Sequence, residues 1–162
     1  MKGSSELKRT VIVEGALSKR KIEMLRELEE RYEEILRRVV EFGLKHKITS
    51  FARLKGEVYR EIREKYRDLP SHYIYTACQD AAARLKSFKK MRRKGRAKGE
   101  RPEIRRVSIW LDDHIYRQID DFAMRVSTHK GHMFIPLNPH KLYWIYKNTG
   151  WELASEAQTA RR

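Results

Sequence analysis

Hydrophobic residues recur at intervals of three and four along the first half of the chain, which is the spacing of one face of an α-helix. The first stripe follows Ser18, a suitable N-cap, and predicts a long helix that frays near Gly43. A second stripe follows the sequence ITS at 48–50, and a third follows Pro70 and Ser71. The stripes consist of Ile22, Leu25, Leu28, Tyr32, Ile35, Leu36, Val39 and Val40; of Phe51, Leu54, Val58, Ile62 and Tyr66; and of Ile74, Ala77, Cys78, Ala81, Leu85 and Phe88.

The second half of the chain changes to a period of two, which is typical of half-buried strands. RVSIWLDD alternates apolar and polar residues from 107 to 112, and HIYRQI continues this strand or pairs with it. MRVST and MFIPL flank HKGH and predict a β-hairpin. NPHKLYWIYKNTG, with Asn at the cap and Pro next, predicts a short helix. Further strands are expected at 7–14, LKRTVIVE, and within 151–162, where no later segment remains to pair with the chain.

Positive charge is concentrated in one place. The chain has 37 Lys and Arg against 22 Asp and Glu, a net charge of +15. Residues 84–101, RLKSFKKMRRKGRAKGER, hold ten of those bases and one acid, Glu100. If the third helix continues to about Lys94, like charges one turn apart repel and this end should fray without a partner, and KGRAKGE should be a flexible connector. The segment predicts a polyanionic partner, and a solvated linker is the alternative.

The composition narrows the classes of function. The one cysteine, Cys78, lies on an apolar stripe, which predicts a buried thiol and excludes an internal disulfide or a multi-cysteine zinc site. No apolar run approaches the roughly 20 residues that span a bilayer, and the N-terminus lacks the apolar core of a signal peptide. These features predict a cytoplasmic protein without membrane contact. Abundant Glu, Lys and Arg is also typical of thermophile proteins.

Two sets of residues could carry metal chemistry. One is an acid cluster around His114, which could serve a small metal-dependent nuclease and consists of Asp112, Asp113, Asp120 and Asp121. Adjacent acids on a strand point to opposite faces, so strand ends and turns explain them more simply. The other set is His129, His132 and His140, of which the first two flank the glycine of a predicted turn. No phosphate-binding glycine loop or nucleophile elbow appears in the sequence. We therefore expect no catalysis, no metal and no cofactor.

The order of these segments resembles the N-terminal part of TnpB, the OrfB-type protein of insertion sequences and a relative of type V CRISPR effectors. The matching segments are LKRTVIVEGALSKRKIEMLRELEERYEEIL, ITSFARL, LPSHYIYTACQDAAARLKSFKK, RVSIWLDD and MRVSTHKGHMFIPL. The resemblance implies an α+β fold in which a bundle of about three helices is inserted into a small antiparallel, β-barrel-like wedge module. It assigns residues 1–17 and 101–162 to the wedge and 18–100 to the helical recognition domain with its basic linker.

The resemblance also implies partners and contact residues. The partners would be a guide RNA and target DNA, and the protein would be associated with the nucleoid. Nucleic-acid phosphates would be bound by Lys86, Lys89, Lys90, Arg92, Arg93, Lys94, Arg96 and Lys98. A short DNA motif would be read by Ser71, His72, Tyr75, Thr76 and Gln79. Relatives often have glutamines at 72, 75 and 76, where this chain has His, Tyr and Thr, so the motif would differ.

The family's cleavage is carried out by a C-terminal RuvC-like domain that this sequence does not contain. A fragment or a truncated reading frame is therefore expected, with a homodimer formed through an unpaired C-terminal strand. A noncatalytic helical interaction or dimerisation protein, with a basic segment that only adds solubility, remains a further alternative.

Overall fold

The computed structural model describes residues 7–160, which form four helices and six short strands. The helices are α1 (Lys19–His46), α2 (Phe51–Lys65), α3 (His72–Arg93) and α4 (Lys141–Asn148). The strands are β1 (Glu14–Gly15), β2 (Trp110–Asp112), β3 (Tyr116–Asp120), β4 (Ala123–Thr128), β5 (Gly131–Asn138) and β6 (Glu156–Gln158). Residues 1–6 of the segment predicted as wedge, and residues 161–162 at its other end, lie outside the described range.

The first three helices pack their apolar stripes together, as their periodicity predicts. Ser18 caps α1 by accepting a hydrogen bond from the Lys21 backbone N–H at 3.3 Å. The buried side chains of the stripes include Leu28, Leu36, Leu54, Val58, Ile74 and Leu85. Ile22, at the N-terminal end of the α1 stripe, is 37% exposed instead. The mixed α+β class is therefore confirmed. The three packed helices precede the β-rich part of the chain.

Gly43 does not mark a frayed helix end. It is a buried position of α1, which continues to His46 and ends at Lys47 in the left-handed conformation, φ 55°. A Cβ at residue 43 would lie 2.4 Å from Leu85 Cδ1 and 2.7 Å from the Ile48 carbonyl oxygen. Glycine is needed here because the Ile48 carbonyl oxygen belongs to the backbone and leaves no room for a Cβ, whereas the Leu85 methyl is the end of a flexible side chain.

The strands form two antiparallel sheets. One has four strands in the order β1-β5-β4-β3, and the other pairs β2 with β6. The hairpin predicted around HKGH is confirmed, since Thr128 pairs with Gly131 across a turn at 129–130 and Gly131 has φ 98°. Within the described residues no hydrogen-bonded ladder joins the two sheets into a closed barrel.

Two predicted features, the first strand and the cap of α4, differ from the structure. The strand expected at 7–14 is reduced to Glu14–Gly15, which pair with Asn138 and Leu137 at the end of β5. The cap of α4 is His140, whose Nδ1 accepts from the Leu142 backbone N–H at 3.1 Å, rather than the Asn two residues before. The first difference arises because a short apolar run forms a strand only where a neighbour offers hydrogen bonds.

The C-terminal strand has a partner. β6 pairs antiparallel with β2, and Leu111 lies opposite Ala157. The expectation that residues 151–162 lack a pairing partner is therefore wrong. The strand pairs with β2, which precedes it in the chain, and so needs no later segment. One edge of β6 is used in this way.

The helices and sheets share one hydrophobic core that continues from α1 and α3 to Ile109, Leu111 and Ile115. Polar contacts reinforce it where the hairpin meets the bundle. The buried Tyr73 hydroxyl donates to the Ser127 carbonyl at 2.6 Å, and His129 Nε2 lies 2.7 Å from Glu27 Oε2. The β-hairpin is thus anchored to both α3 and α1. No helix among the described residues is long and apolar enough to span a membrane.

Candidate nucleic-acid interface

The basic segment begins on an ordered helix. α3 continues to Arg93 and is closed by Gly95, which has φ 67°. The Arg96 N–H bonds the Met91 carbonyl at 2.9 Å, and the Gly95 N–H bonds the Arg92 carbonyl at 3.0 Å. This pair of bonds is the Schellman arrangement, which satisfies carbonyls that a frayed end would leave open. The predicted fraying is therefore not seen, and the first glycine of KGRAKGE is a helix cap rather than part of a loose connector.

The cations of this segment are exposed and uncompensated. Lys86, Lys89, Lys90, Arg92, Arg93, Lys94, Arg96 and Lys98 are all exposed. Within residues 7–160 none of the eight forms an ion pair or a side-chain hydrogen bond, although Arg92 lies 5.9 Å from the Phe88 ring centroid. Their charge is therefore available to a partner.

Arginines on α1 differ in this respect. Arg31 pairs with Asp68 at 2.6 Å, Arg37 with Glu33 at 2.7 Å and Arg38 with Glu61 at 3.0 Å. The first and third of these pairs connect different parts of the helical bundle. The contrast separates cations that serve the fold from those of the basic segment, which do not.

Arg84, at the start of the basic stretch, belongs to the fold. Its Nε donates to Asp80 Oδ1 at 2.8 Å, and the Tyr32 hydroxyl donates to Asp80 Oδ2 at 3.0 Å. Burial raises the pKa of Asp80, while the bonds from Arg84 and Tyr32 oppose that rise. Sequence patterns did not reveal this buried network, since Asp80 lies in the run TACQDAAA, where only small residues attract attention.

The residues predicted to read DNA do not form one open surface. Ser71, Tyr75 and Gln79 are half-buried, and Tyr75 packs edge-on against Phe51 with ring centroids 4.7 Å apart. Thr76 is 1% exposed and its hydroxyl donates to the Tyr73 carbonyl at 3.3 Å, so the folded chain gives it no contact with a base.

His72, the remaining predicted reading residue, is turned toward the β-rich part of the chain. Its Nδ1 lies 3.0 Å from Asp112 Oδ2, at the end of β2. Within residues 7–160 the side chains of Ser71 and Gln79 form no hydrogen bond, and Lys55 Nζ lies 4.7 Å from the centroid of the Tyr75 ring.

A second positive surface lies on the four-stranded sheet. Arg117 of β3, Arg125 of β4 and Phe134 of β5 are register partners and so form one row across the sheet. With Ile119 they line a shallow groove, and Phe134 is 54% exposed. Neither arginine has an ion pair within the described range. The alternation of β3 and β4 was the sequence signal that could have indicated this row.

The four acids considered as a nuclease site do not converge. Asp112 lies before β3, whereas Asp120 ends β3 and uses Oδ1 to accept from the Phe122 backbone N–H at 2.7 Å. Asp121 accepts from Lys147 and from the Tyr143 hydroxyl, and these hydrogen bonds lower its pKa. The length of β3, about 13 Å between its end residues, separates the two pairs.

The three histidines considered as a zinc set are also apart. His129 bonds Glu27, His132 lies 3.2 Å from Ser127 Oγ, and His140 caps α4. Cys78 is fully buried, and burial raises the pKa of its thiol to about 12. The prediction of a buried thiol is thus confirmed.

Comparison with known proteins identifies relatives whose roles are not described. The model of the "Uncharacterized protein MJ0013 family" matches residues 28–127. The "Uncharacterized protein MJ0857" of Methanocaldococcus jannaschii is 37% identical over 152 residues, an alignment that covers 83% of this chain and 56% of that protein. The chain therefore spans about half the length of this curated relative. No solved structure gives a significant match.

Proposed function

The chain belongs to the MJ0013 family, and we propose that it is the nucleic-acid-binding part of a TnpB-like RNA-guided DNA endonuclease. In this proposal residues 1–17 and 101–162 act as the wedge and 18–100 as the recognition domain. The partners are a guide RNA and target DNA, which would place the protein at the nucleoid. Cleavage would be the task of a domain outside this sequence.

The observation that carries the proposal is the state of the basic segment. Eight exposed cations, Lys86 through Lys98, lie on and just after a capped helix, and no acid within the described residues neutralises them. Holding like charges this close is unfavourable without a polyanion. Phosphates would relieve the repulsion, and a rigid helix would fix the register of those phosphates.

Structured RNA fits this surface better than a flat acidic protein patch. The cations surround the end of a helix and continue through 94–98, so they can follow a curved backbone. RNA helices are recognised mostly through phosphates and shape, since their deep major groove hides the base edges. The row of Arg117, Arg125 and Phe134 offers a second place where cations adjoin an exposed ring, as single-stranded segments require.

The proposal is tested by measuring affinity for a structured RNA hairpin as a function of salt. A site making about six phosphate contacts should lose roughly a thousandfold in affinity between 50 and 200 mM salt, because each contact releases a counterion. Nucleic acid that co-purifies with the protein at low salt should be RNA. Affinity that is absent or independent of salt would refute the proposal and leave the segment as a solvated linker.

A further inference from the structure

Two histidines and an aspartate from distant parts of the chain meet where α3 contacts β2. His72 is the first residue of α3, Asp112 is the last of β2, and His114 lies in the turn that follows. One ligand atom from each lies within 4.8 Å of the other two. We propose that this cluster is a binding site for a divalent transition-metal ion of the zinc type.

The chemistry of the donors favours such an ion. Two imidazole nitrogens and one carboxylate oxygen are ligands that Zn²⁺ accepts, whereas Mg²⁺ prefers oxygen ligands alone. Three protein ligands leave one tetrahedral position for water. The site shares Asp112 with the acid set considered for a nuclease, but it uses neither Asp120 nor Asp121.

The carboxylate is held in place by the turn. Asp112 Oδ1 accepts from the His114 backbone N–H at 2.9 Å, and the Asp112 carbonyl accepts from the Ile115 N–H at 3.0 Å. An aspartate at the first position of a turn commonly makes both bonds. Oδ2 remains directed at His72 Nδ1, 3.0 Å away. A ligand that is fixed before binding loses less entropy when the ion arrives.

The histidine rings must reorient before both can bind one ion. Their rings stack 3.8 Å apart with planes 12° from parallel, and His114 Nδ1 lies 3.6 Å from Asp112 Oδ1 and 3.1 Å from Asp113 Oδ1. Parallel rings cannot both direct an in-plane lone pair at one ion. Ligand atoms around tetrahedral zinc are about 3.4 Å apart, given bond lengths near 2.1 Å. The His114 side chain is 61% exposed, so it can rotate out of the stack. This rotation would bring its ring nitrogen to the required distance from the other two ligand atoms.

The proposed ion would join the helical bundle to the β-rich part of the chain. His72 lies at the N-terminal end of α3, while Asp112 and His114 bracket the β2–β3 connection. Binding to the folded state alone would stabilise it. At Zn²⁺ a hundredfold above the dissociation constant, the thermal midpoint should rise by about 5–10 °C.

The test is calorimetric titration of tag-free protein with ZnSO₄, together with thermal unfolding. We expect one equivalent of Zn²⁺ to bind, and MgCl₂ not to compete. His114→Ala should weaken Zn²⁺ binding at least about tenfold and abolish most of the thermal shift. His132→Ala is the matched control, because His132 is also an exposed histidine of the β-rich part and should bind as the wild type does.

A second readout does not depend on stability. Imidazole ¹⁵N resonances of His72 and His114 should shift together on addition of Zn²⁺, while that of His132 should not move. Absence of binding, or binding that survives His114→Ala unchanged, would overturn the proposal and leave the cluster as a stacked, carboxylate-bonded pair of histidines.

Discussion

Removing the Tyr32 hydroxyl should expose the energetic importance of the buried Asp80 network. Tyr32→Phe keeps the ring, which is 0% exposed, and deletes only the donor 3.0 Å from Asp80 Oδ2. Because no cavity larger than the hydroxyl is created, the loss reports the hydrogen bond. A bond to a charged group contributes about 1.5–3 kcal/mol, so the free energy of unfolding should fall by roughly that amount.

Tyr73→Phe is the matched control. Tyr73 is equally buried, but its hydroxyl donates to a neutral acceptor, the Ser127 carbonyl, at 2.6 Å. Neutral hydrogen bonds contribute about 0.5–1.5 kcal/mol, so this variant should be the more stable of the two. Urea unfolding followed by far-ultraviolet circular dichroism measures both.

The contribution of Asp80 to the free energy of unfolding should depend on pH. Burial raises the folded-state pKa of Asp80 above its unfolded value, so the folded state binds that proton more tightly. The contribution of Asp80 to stability is therefore fully present below the unfolded pKa and is lost as pH rises through the folded pKa. Tyr32→Phe removes a donor that favours the carboxylate, so its destabilisation should be largest above the folded pKa and shrink below it. If Tyr32→Phe costs no more than Tyr73→Phe and its cost does not vary with pH, the Tyr32 hydroxyl does not stabilise a charged Asp80.

Two further predictions concern the core. Gly43→Ala should destabilise the protein by about 1–3 kcal/mol through overpacking, since the new methyl would lie 2.7 Å from the Ile48 carbonyl oxygen; Gly56→Ala in α2, with nothing within 4 Å, should instead stabilise by about 0.5–1 kcal/mol. Urea midpoints for the pair that shift in the same direction would contradict this contrast. Cys78 should resist iodoacetamide at pH 8, because burial holds its pKa near 12; modification as fast as that of the urea-unfolded chain would show that α3 is not packed as described.

Local patterns predicted the elements whose stability is local. The α1 stripe from Leu28 to Val40, the capping Ser18 and the hairpin at 129–132 each depend on neighbours a few residues apart, so periodicity and turn chemistry suffice. The first strand was predicted too long because LKRTVIVE has β propensity, but β5 offers a partner only at its end. Whether a strand forms depends on that distant partner.

The candidate sites show the same division. Exposure of Lys89 or Arg93 follows from their place beyond the apolar stripe, whereas Asp80 and His72 also have partners 40 or more positions away. Tyr32 meets Asp80 across 48 residues, and His72 meets Asp112 across 40. Hydrophobic periodicity cannot predict these contacts, since they depend on how α1, α3 and β2 pack.

The most direct test of the account compares two variants of equal net charge. One replaces four cations of the basic segment with alanine: Lys89, Lys90, Arg92 and Arg93. The other removes four exposed cations elsewhere: Arg60, Lys65, Arg67 and Lys141. Both lower the net charge equally, so general attraction to RNA changes equally. We predict that the first variant flattens the slope of log affinity against log salt by about three to four units, while the second changes it by less than about one. Equal slopes for the two variants would show that net charge, rather than the basic segment, attracts nucleic acid, and would contradict the account.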